Sequence, residues 1–398
     1  MGIFRLVPPA GAPVPPRAVL PSLVRRRGGP RGLENVVREQ LAVRNAVFVS
    51  SGRAALAVVL EALRQGSPRR EVVVPAYTCF SVPSAVARAG LTLRLCDIDP
   101  ATLDFDLEAL QRLDLRKALC IVPSGLYGLP SDLVRLEAIA RVSGASLVDD
   151  AAQTLGASQD GRPCGTFGDA GFYSLGRGKG ITTMGGGILV THREDLVPRI
   201  EQVMSTLRRA SAREVGEAVG GSLLYSGLLR PSRYWLVDRI PFLGLGGSHF
   251  DPEFPIAHLS RYQQRLAERL LPLAEAYNKT RRDHADHLRA GMDGLDDIET
   301  PQPVAGASPV YLRFPILTRN ATHRARLLRR LEQAGIRASA SYPSALGDIP
   351  GIERYLARDQ APCPRAQAIA TRILTLPTHP WVTPRDVDRM VAIVREQA

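Results

Sequence analysis

Residues 146–179 read SLVDDAAQTLGASQDGRPCGTFGDAGFYSLGRGK. A short apolar run at 146–148 predicts a strand, and that strand ends in two acids, Asp149 and Asp150. The stretch closes on Lys179 inside a glycine-rich turn. Open α/β sheets bind ligands just beyond the carboxyl ends of their strands, so this stretch predicts both a sheet and a site at its edge.

The surrounding chain repeats this pattern of apolar runs alternating with helical patterns. Strands are predicted at 46–49, 71–74, 91–96, 118–122, 146–148 and 187–191, and helices at 51–63 and 84–89. Strands that alternate with helices favour a mostly parallel sheet with covering helices, hence an α/β fold.

Three regions are predicted along the chain. Residues 1–30 are rich in Pro, Gly and Arg and predict an irregular arm. Residues 31–257 predict a large domain with an insertion at about 205–257, where the alternation breaks. Residues 258–398 predict a long helix at 259–288 and a small α/β domain, with strands at 310–317 and 372–376 and helices at 323–334 and 384–396.

Composition excludes several classes of protein. The formal charge of +12 comes from scattered Arg residues without a nucleic-acid-binding motif, so no nucleic-acid partner is expected, while a phosphorylated small molecule is compatible. The five cysteines are scattered without a CxxC pair, so neither disulfides nor a metal site are expected. Without a signal-peptide pattern or a spanning apolar run, we expect a cytoplasmic protein.

The sequence V49-S-S-G-R-A-A-L56 takes a predicted strand through a Ser-Gly turn into a helix. The free N–H groups of a helix N-terminus can bind phosphate, which makes Gly52 and Arg53 candidates for a phosphate cup. An ordinary capped helix has the same pattern. The acid pair likewise allows two interpretations: a carboxylate that pairs with a protonated ring nitrogen, or a helix N-cap.

Lys179 is one of three lysines in a chain that strongly prefers Arg. A lysine amine can lose its proton when desolvated and attack a carbonyl, which a guanidinium cannot do. A solvated loop lysine is the alternative. Lys117 and Lys279 lie in charged runs and are predicted to be solvated.

Taken in order, these elements resemble the DegT/DnrJ/StrS aminotransferases, a sugar-aminotransferase-like branch of the fold type I enzymes that use pyridoxal phosphate. The resemblance spans roughly residues 35–395. It rests on the following motifs: SSGRAAL, VVVPAYTC, CDIDPATLDFD, VDDAAQTLGA, GTFGDAGFYSLGRGK, GGGILVT and LPTHPWVTPRDVDRM.

The resemblance implies a fold type I architecture, a homodimer and a role for each matched residue. Lys179 would hold pyridoxal 5′-phosphate as a Schiff base and shuttle a proton. Asp150 would face the pyridine nitrogen, and Gln153 the phenolic oxygen. The phosphate would lie on Gly52, Arg53 and Ser174, and Cys79 would face the ring.

Several positions depart from the family pattern. Cys79 stands where the family has an aromatic, and Arg53 stands where it has Thr. The family's VHLYG-like turn reads SGLYG at 124–128 and lacks the His, and Gly185 replaces an acid. A Gly-x-Asn-x-Arg segment, which often reaches a neighbouring subunit, is not recognisable, and residues 205–257 stand in its place.

The expected reaction is transfer of an amino group from an amino acid, glutamate by family analogy, to a keto sugar that can be nucleotide-linked. The alternatives are a non-sugar ketone or a dehydration, and a non-catalytic regulator that kept the fold. The apolar, Arg- and Trp-containing stretch 230–247 is expected to pack on its own protein or a dimer mate rather than on a membrane surface.

Overall fold

The computed structural model describes residues 5–24, 32–238 and 249–397. The helices are α1 Pro16–Leu23, α2 Leu33–Leu41, α3 Gly52–Gln65, α4 Ser81–Arg88, α5 Leu107–Arg112, α6 Leu133–Ser143, α7 Val197–Ser205, α8 Ala212–Leu228, α9 Trp235–Asp238, α10 Arg261–Leu270, α11 Ala274–Met292, α12 Ala321–Gln333, α13 Pro364–Arg372 and α14 Pro384–Arg395. The strands are β1 Asn45–Val49, β2 Glu71–Pro75, β3 Thr92–Cys96, β4 Ala118–Ile121, β5 Ser146–Asp150, β6 Ser158–Gln159, β7 Arg162–Pro163, β8 Ala170–Ser174, β9 Gly187–Thr191, β10 Ile298–Glu299, β11 Ala307–Ser308, β12 Phe314–Thr318 and β13 Ile373–Leu376.

A seven-stranded sheet forms the centre of the fold, in the order β1-β9-β8-β5-β4-β2-β3. Strands β3, β2, β4, β5 and β8 pair in parallel, and β9 runs antiparallel to both β8 and β1. The predicted α/β fold with a mostly parallel sheet is confirmed. Strand β8 was not predicted, because its sequence AGFYS lacks a continuous apolar run.

Side chains of the central strands alternate between two packed layers. Val72 and Val74 of β2 lie in one apolar cluster with residues of α3 and α4, whereas Val73 between them lies in a second cluster with residues of α2 and α6. Successive side chains on a strand point to opposite faces, so helices must cover the sheet on both sides.

The C-terminal region carries a small antiparallel sheet, in the order β10-β12-β13. The single helix predicted at 259–288 is instead two helices, α10 and α11, joined by a 3₁₀ turn at Leu271–Leu273. Pro272 lies in that turn, and proline has no backbone N–H to continue an α-helix.

The N-terminal segment is more ordered than the irregular arm predicted for residues 1–30, of which 1–4 and 25–30 lie outside the described residues. Helix α1 begins with Pro16 in its first turn, a position where proline fits because no intrahelical bond is lost. Ala18, Val19 and Ser22 are buried against the protein, and Arg265 Nε donates to the Ser22 carbonyl at 2.7 Å.

Arg281 of α11 ties the N-terminal segment to the loop that carries Lys179. Its side chain is fully buried. Nη2 donates to the carbonyls of Gly11 at 3.2 Å and Gly180 at 3.1 Å, and Nη1 donates to Asn278 Oδ1 at 2.8 Å. Burial lowers the pKa of Arg281 to about 10. The acceptors of these hydrogen bonds are uncharged, so they do not offset the loss of hydration as a carboxylate would.

The described part of the insertion contains the helices α8 and α9. Ala218, Ser222 and Tyr225 of α8 are buried, and the Tyr225 hydroxyl accepts from the Ala12 amide at 3.4 Å. The described part of the insertion therefore packs on its own protein through one face of α8, while Leu223 and Leu224 are exposed. Residues 239–248 of the apolar stretch lie outside the described residues. No described helix is long and apolar enough to cross a bilayer.

A substitution at Gly171 in β8 would test how tightly this strand packs on the preceding turn at Gly165. A Cβ at position 171 would lie 2.1 Å from the Gly165 carbonyl oxygen, so Gly171→Ala should cost about 3 kcal/mol of unfolding free energy. The matched control is Gly216→Ala in α8, where a Cβ meets nothing within 4 Å and should stabilise by about 0.5 kcal/mol. Denaturant unfolding measures both, and equal effects would contradict the packing of this turn.

Asp149 gives the folded protein a pH-dependent stability. Burial is the main cause that raises its pKa from 3.8 to about 7, partly offset by the Gly165 amide that donates to Oδ2. Between pH 3.8 and about 7 the folded state holds a proton that the unfolded state has already lost, so stability falls as pH rises across this range and levels off above it. Asp149→Asn stays neutral. Wild type should therefore lose stability relative to Asp149→Asn as pH rises from 3.8 to about 7, and a constant difference in unfolding free energy would refute the shift.

Candidate active site

The site lies at one edge of the central sheet. Strands β2, β4, β5 and β8 are parallel, so their carboxyl ends meet at this edge. Asp150 ends β5 and Ser174 ends β8, and Cys79 and Ser124 follow β2 and β4 in the chain. Residues far apart in sequence are thus brought to one place by strand direction alone.

The turn from β1 into α3 meets the end of β8. Ser51 caps the helix, with Oγ accepting from the Ala54 amide at 3.0 Å. A Cβ on Gly52 would stand 2.8 Å from Ser174 Cβ, so only a glycine lets the first turn of α3 approach that serine. Because first-turn amides of a helix lack intrahelical partners, Gly52, Arg53 and Ser174 together form a cup suited to an anion.

Three consecutive glycines, Gly185 to Gly187, lie next to this cup. Gly186 forms an isolated parallel β-bridge with Ser51. A Cβ on Gly187 would lie 2.2 Å from the Ser51 carbonyl oxygen. Gly186 also has a φ of +126°, which favours glycine. The run therefore lets β9 pass directly against the Ser51–Gly52 turn.

The Asp150 carboxylate is buried at the end of β5. It accepts hydrogen bonds from the Ala152 amide at 3.0 Å and the Ser124 hydroxyl at 3.3 Å, both uncharged donors. Burial raises its pKa to about 6, while Ala152, Lys179 and Ser124 act in the opposite direction. A buried carboxylate with neutral donors is suited to accept a cationic partner.

Lys179 lies close enough to Asp150 for their charges to interact. Loss of hydration is the main cause that lowers the pKa of the Lys179 amine, and the positive charge of Arg313 adds to it; Cys79 and Asp150 act against it. A lowered pKa raises the fraction of neutral amine near pH 7, which is the form that attacks a carbonyl.

Gln153 is held by two residues that the sequence did not indicate. Its Oε1 accepts from the Tyr127 amide at 3.3 Å, and its Nε2 donates to the Tyr342 hydroxyl at 3.1 Å. Tyr342 comes from the C-terminal region, 189 positions away. No sequence pattern places that segment over the sheet edge, so only the tertiary structure reveals this contact.

Cys79 lies within electrostatic reach of both Lys179 and Tyr342. The aromatic that follows it, Phe80, stacks on Tyr342 with ring centroids 6.4 Å apart. Tyr77 makes an edge contact with the same ring at 5.7 Å. Tyr342 thus supplies an aromatic next to the position where Cys79 stands.

Arg53 contributes its backbone to the helix start, but its guanidinium has partners elsewhere. It lies 4.1 Å from the centroid of the Phe254 ring and 3.7 Å from Asp251. Both partners come from the C-terminal end of the insertion. The extra charge at this position is therefore partly neutralised.

The assembled residues fit pyridoxal phosphate. The cup would take the phosphate, and the buried Asp150 carboxylate would gain a cationic partner in a protonated ring nitrogen. Lys179, with its lowered pKa, would reach the aldehyde. Gln153 and Cys79 would lie next to the cofactor ring.

Comparison with known proteins agrees with this arrangement. The model of the DegT/DnrJ/EryC1/StrS aminotransferase family matches residues 21–223 and 259–395. A UDP-N-acetyl-3-dehydro-alpha-D-glucosamine 3-aminotransferase of Acidithiobacillus ferrooxidans is 28% identical over 92% of this chain and 87% of its own length. A GDP-perosamine synthase of Caulobacter vibrioides is 26% identical over 90% of this chain and 87% of its own length.

A solved structure has the same fold. Helicobacter pylori PseC, an aminotransferase involved in the biosynthesis of pseudoaminic acid, superposes with a TM-score of 0.79 at 18% identity, over 99% of each chain. The family match is interrupted at 224–258, which overlaps the C-terminal part of the predicted insertion. With the family model covering most of its length, the chain belongs to the DegT/DnrJ/EryC1/StrS aminotransferase family.

Proposed function

We propose that the chain transfers an amino group from an amino acid, with glutamate as the leading donor, to a keto sugar in a biosynthetic pathway. The observation that carries the proposal is the placement of Lys179 beside Asp150 at one edge of the sheet, with loss of hydration lowering the lysine pKa. The relatives from Acidithiobacillus ferrooxidans and Caulobacter vibrioides carry names of amino-sugar enzymes and support the acceptor class.

The proposed cofactor is pyridoxal 5′-phosphate, which supplies an electron sink for the carbon that bears the amino group. Lys179 would form the covalent link and later move the proton at that carbon. Asp150 would hold a proton on the ring nitrogen, since its buried carboxylate favours a cationic neighbour. Gln153 would orient the phenolic oxygen from its place beside Tyr342.

The remaining contacts of the cofactor are proposed from the same edge. Gly52, Arg53 and Ser174 would bind the phosphate at the start of α3, where Gly52 allows close approach. Cys79 would face the ring. The formal charge of +12 suits an anionic acceptor such as a nucleotide-linked sugar.

A homodimer in the cytoplasm is the proposed state of the protein. The dimer is inferred from the family resemblance, since such sites are usually built between two subunits. The cytoplasmic location is supported by five free cysteines, which suit a reducing compartment.

Lys179→Ala should abolish covalent attachment of the cofactor and lower turnover by about 1,000-fold or more, because the proton carrier is lost. Borohydride reduction followed by peptide mass spectrometry locates the link. The control is Lys279→Ala, since Lys279 is exposed and pairs with Asp283 at 2.9 Å; it should behave as wild type. A label on Lys117 or Lys279 instead of Lys179 would refute the assignment. Absence of turnover in the wild-type protein would instead favour the alternative of a non-catalytic regulator.

Asp150→Asn should keep the covalent link at Lys179 but lower turnover by about 100-fold, because a neutral amide cannot stabilise a protonated ring nitrogen. The measurement is the initial rate of amine transfer to a candidate nucleotide-linked keto sugar. Asp283→Asn, which changes an exposed acid of α11, serves as the control. Equal rates for Asp150→Asn and wild type would remove Asp150 from the proposed site.

A further inference from the structure

Arg313 is a positively charged residue near the site, and it takes no part in the proposed cofactor contacts. It lies just before β12, and its backbone amide donates to the Tyr127 carbonyl at 3.3 Å. A Cβ built on Gly178, the residue before Lys179, would stand 3.7 Å from Arg313 Nη2. The guanidinium therefore lies close to the lysine turn, within the reach of one added side-chain carbon.

The side chain of Arg313 has no hydrogen-bond partner among the residues that the structure describes. Its Nε is buried and donates no hydrogen bond to any of them. The ion pairs formed among those residues do not include it. Its charge nevertheless acts on the site, because it contributes to lowering the pKa of Lys179. A half-buried cation without a counterion is costly, and an incoming anion would remove that cost.

Two other arginines near the site, Arg53 and Arg281, are engaged. Arg53 has Asp251 and Phe254, and Arg281 is fully buried on the carbonyls of Gly11 and Gly180. Arg177, two positions before Lys179, is exposed. Arg313 is therefore the half-buried guanidinium that a substrate would meet beside Lys179. Its planar fork matches the two oxygens of a carboxylate.

Position decides which substrate anion it meets. In an α-amino acid the carboxylate is bonded directly to the carbon that carries the reacting amine. In a nucleotide-linked keto sugar the diphosphate sits on a different carbon from the keto group, several bonds away. A guanidinium close to the lysine turn therefore suits the amino acid.

We propose that Arg313 binds the α-carboxylate of the amino donor and so selects α-amino acids over simple amines. This inference rests on the proposed aminotransferase function. It assigns donor recognition to a residue of the loop before β12, where no motif of the sequence indicated a substrate contact.

The test compares donors that differ only in the α-carboxylate. Holoenzyme is mixed with L-glutamate or 4-aminobutyrate, and with L-glutamine or 4-aminobutanamide, and bleaching of the lysine-bound cofactor absorbance is followed. Of L-glutamate and L-glutamine, wild type should bind its preferred donor about 10- to 100-fold more tightly than the matching amine that lacks the α-carboxylate. Arg313→Met should lose that preference by weakening the amino acid alone. Arg313→Lys should retain part of it, and Arg330→Met, which changes an exposed arginine of α12, should retain all of it.

A second measurement does not depend on the donor. The pH midpoint of the lysine-bound cofactor absorbance should rise in Arg313→Met, because a positive charge that disfavours protonation at Lys179 is removed. Circular dichroism checks that the variant is folded, and Arg313→Lys provides the folded variant if Arg313→Met is not.

The outcomes separate the two proposals. If wild type shows no cofactor absorbance, or no donor bleaches it, the aminotransferase proposal fails and this inference fails with it. If wild type is active but Arg313→Met discriminates between the paired donors as wild type does, only the role of Arg313 is overturned. Weakened binding of a nucleotide-linked acceptor with unchanged donor binding would likewise overturn it, by assigning Arg313 to phosphate.

Discussion

Close approach of backbone to backbone at the carboxyl edge of the sheet is the constraint on which the site depends. Strand β9 passes so near the turn into α3 that a Cβ on Gly187 would stand 2.2 Å from the Ser51 carbonyl oxygen. The same turn brings Gly52 against Ser174 of β8. A larger residue at either glycine would push the helix N-terminus away from the strand end, and the anion cup would open. The proposed phosphate contacts, the proposed ring contacts and the lysine turn all share this edge.

The electrostatics of the edge follow from burial. Loss of hydration raises the pKa of Asp150 and lowers that of Lys179, so each group is held closer to its neutral form than in water. A cationic ring would favour the charged carboxylate, and a neutral amine is the form that condenses with an aldehyde. Burial at this edge thus gives Asp150 and Lys179 the charge preferences that the proposed chemistry requires.

Long-range contacts hold this edge in place. Arg281 joins the N-terminal segment to the loop after Lys179, and Asn278 of the same helix donates to the Leu155 carbonyl at 2.9 Å. Tyr342 brings the C-terminal region onto Gln153. The loops that carry Lys179 and Gln153 are therefore supported by segments from both ends of the chain, which is consistent with a site that needs fixed geometry.

By itself, the sequence determined the α/β fold and the order of the main strands and helices, because apolar periodicity and local turn chemistry are encoded over a few residues. The set Lys179, Asp150, Gln153, Gly52 and Ser174 follows from local motifs together with the family resemblance, and it stays a prediction. It did not reveal the break at Pro272, the helix in the N-terminal segment or strand β8, where local pattern is weak or competes with packing. The partners of Arg53, the contact of Tyr342 with Gln153 and the unpaired Arg313 were decided only by the tertiary structure. Each of these depends on which distant segments pack together, and no local pattern carries that information.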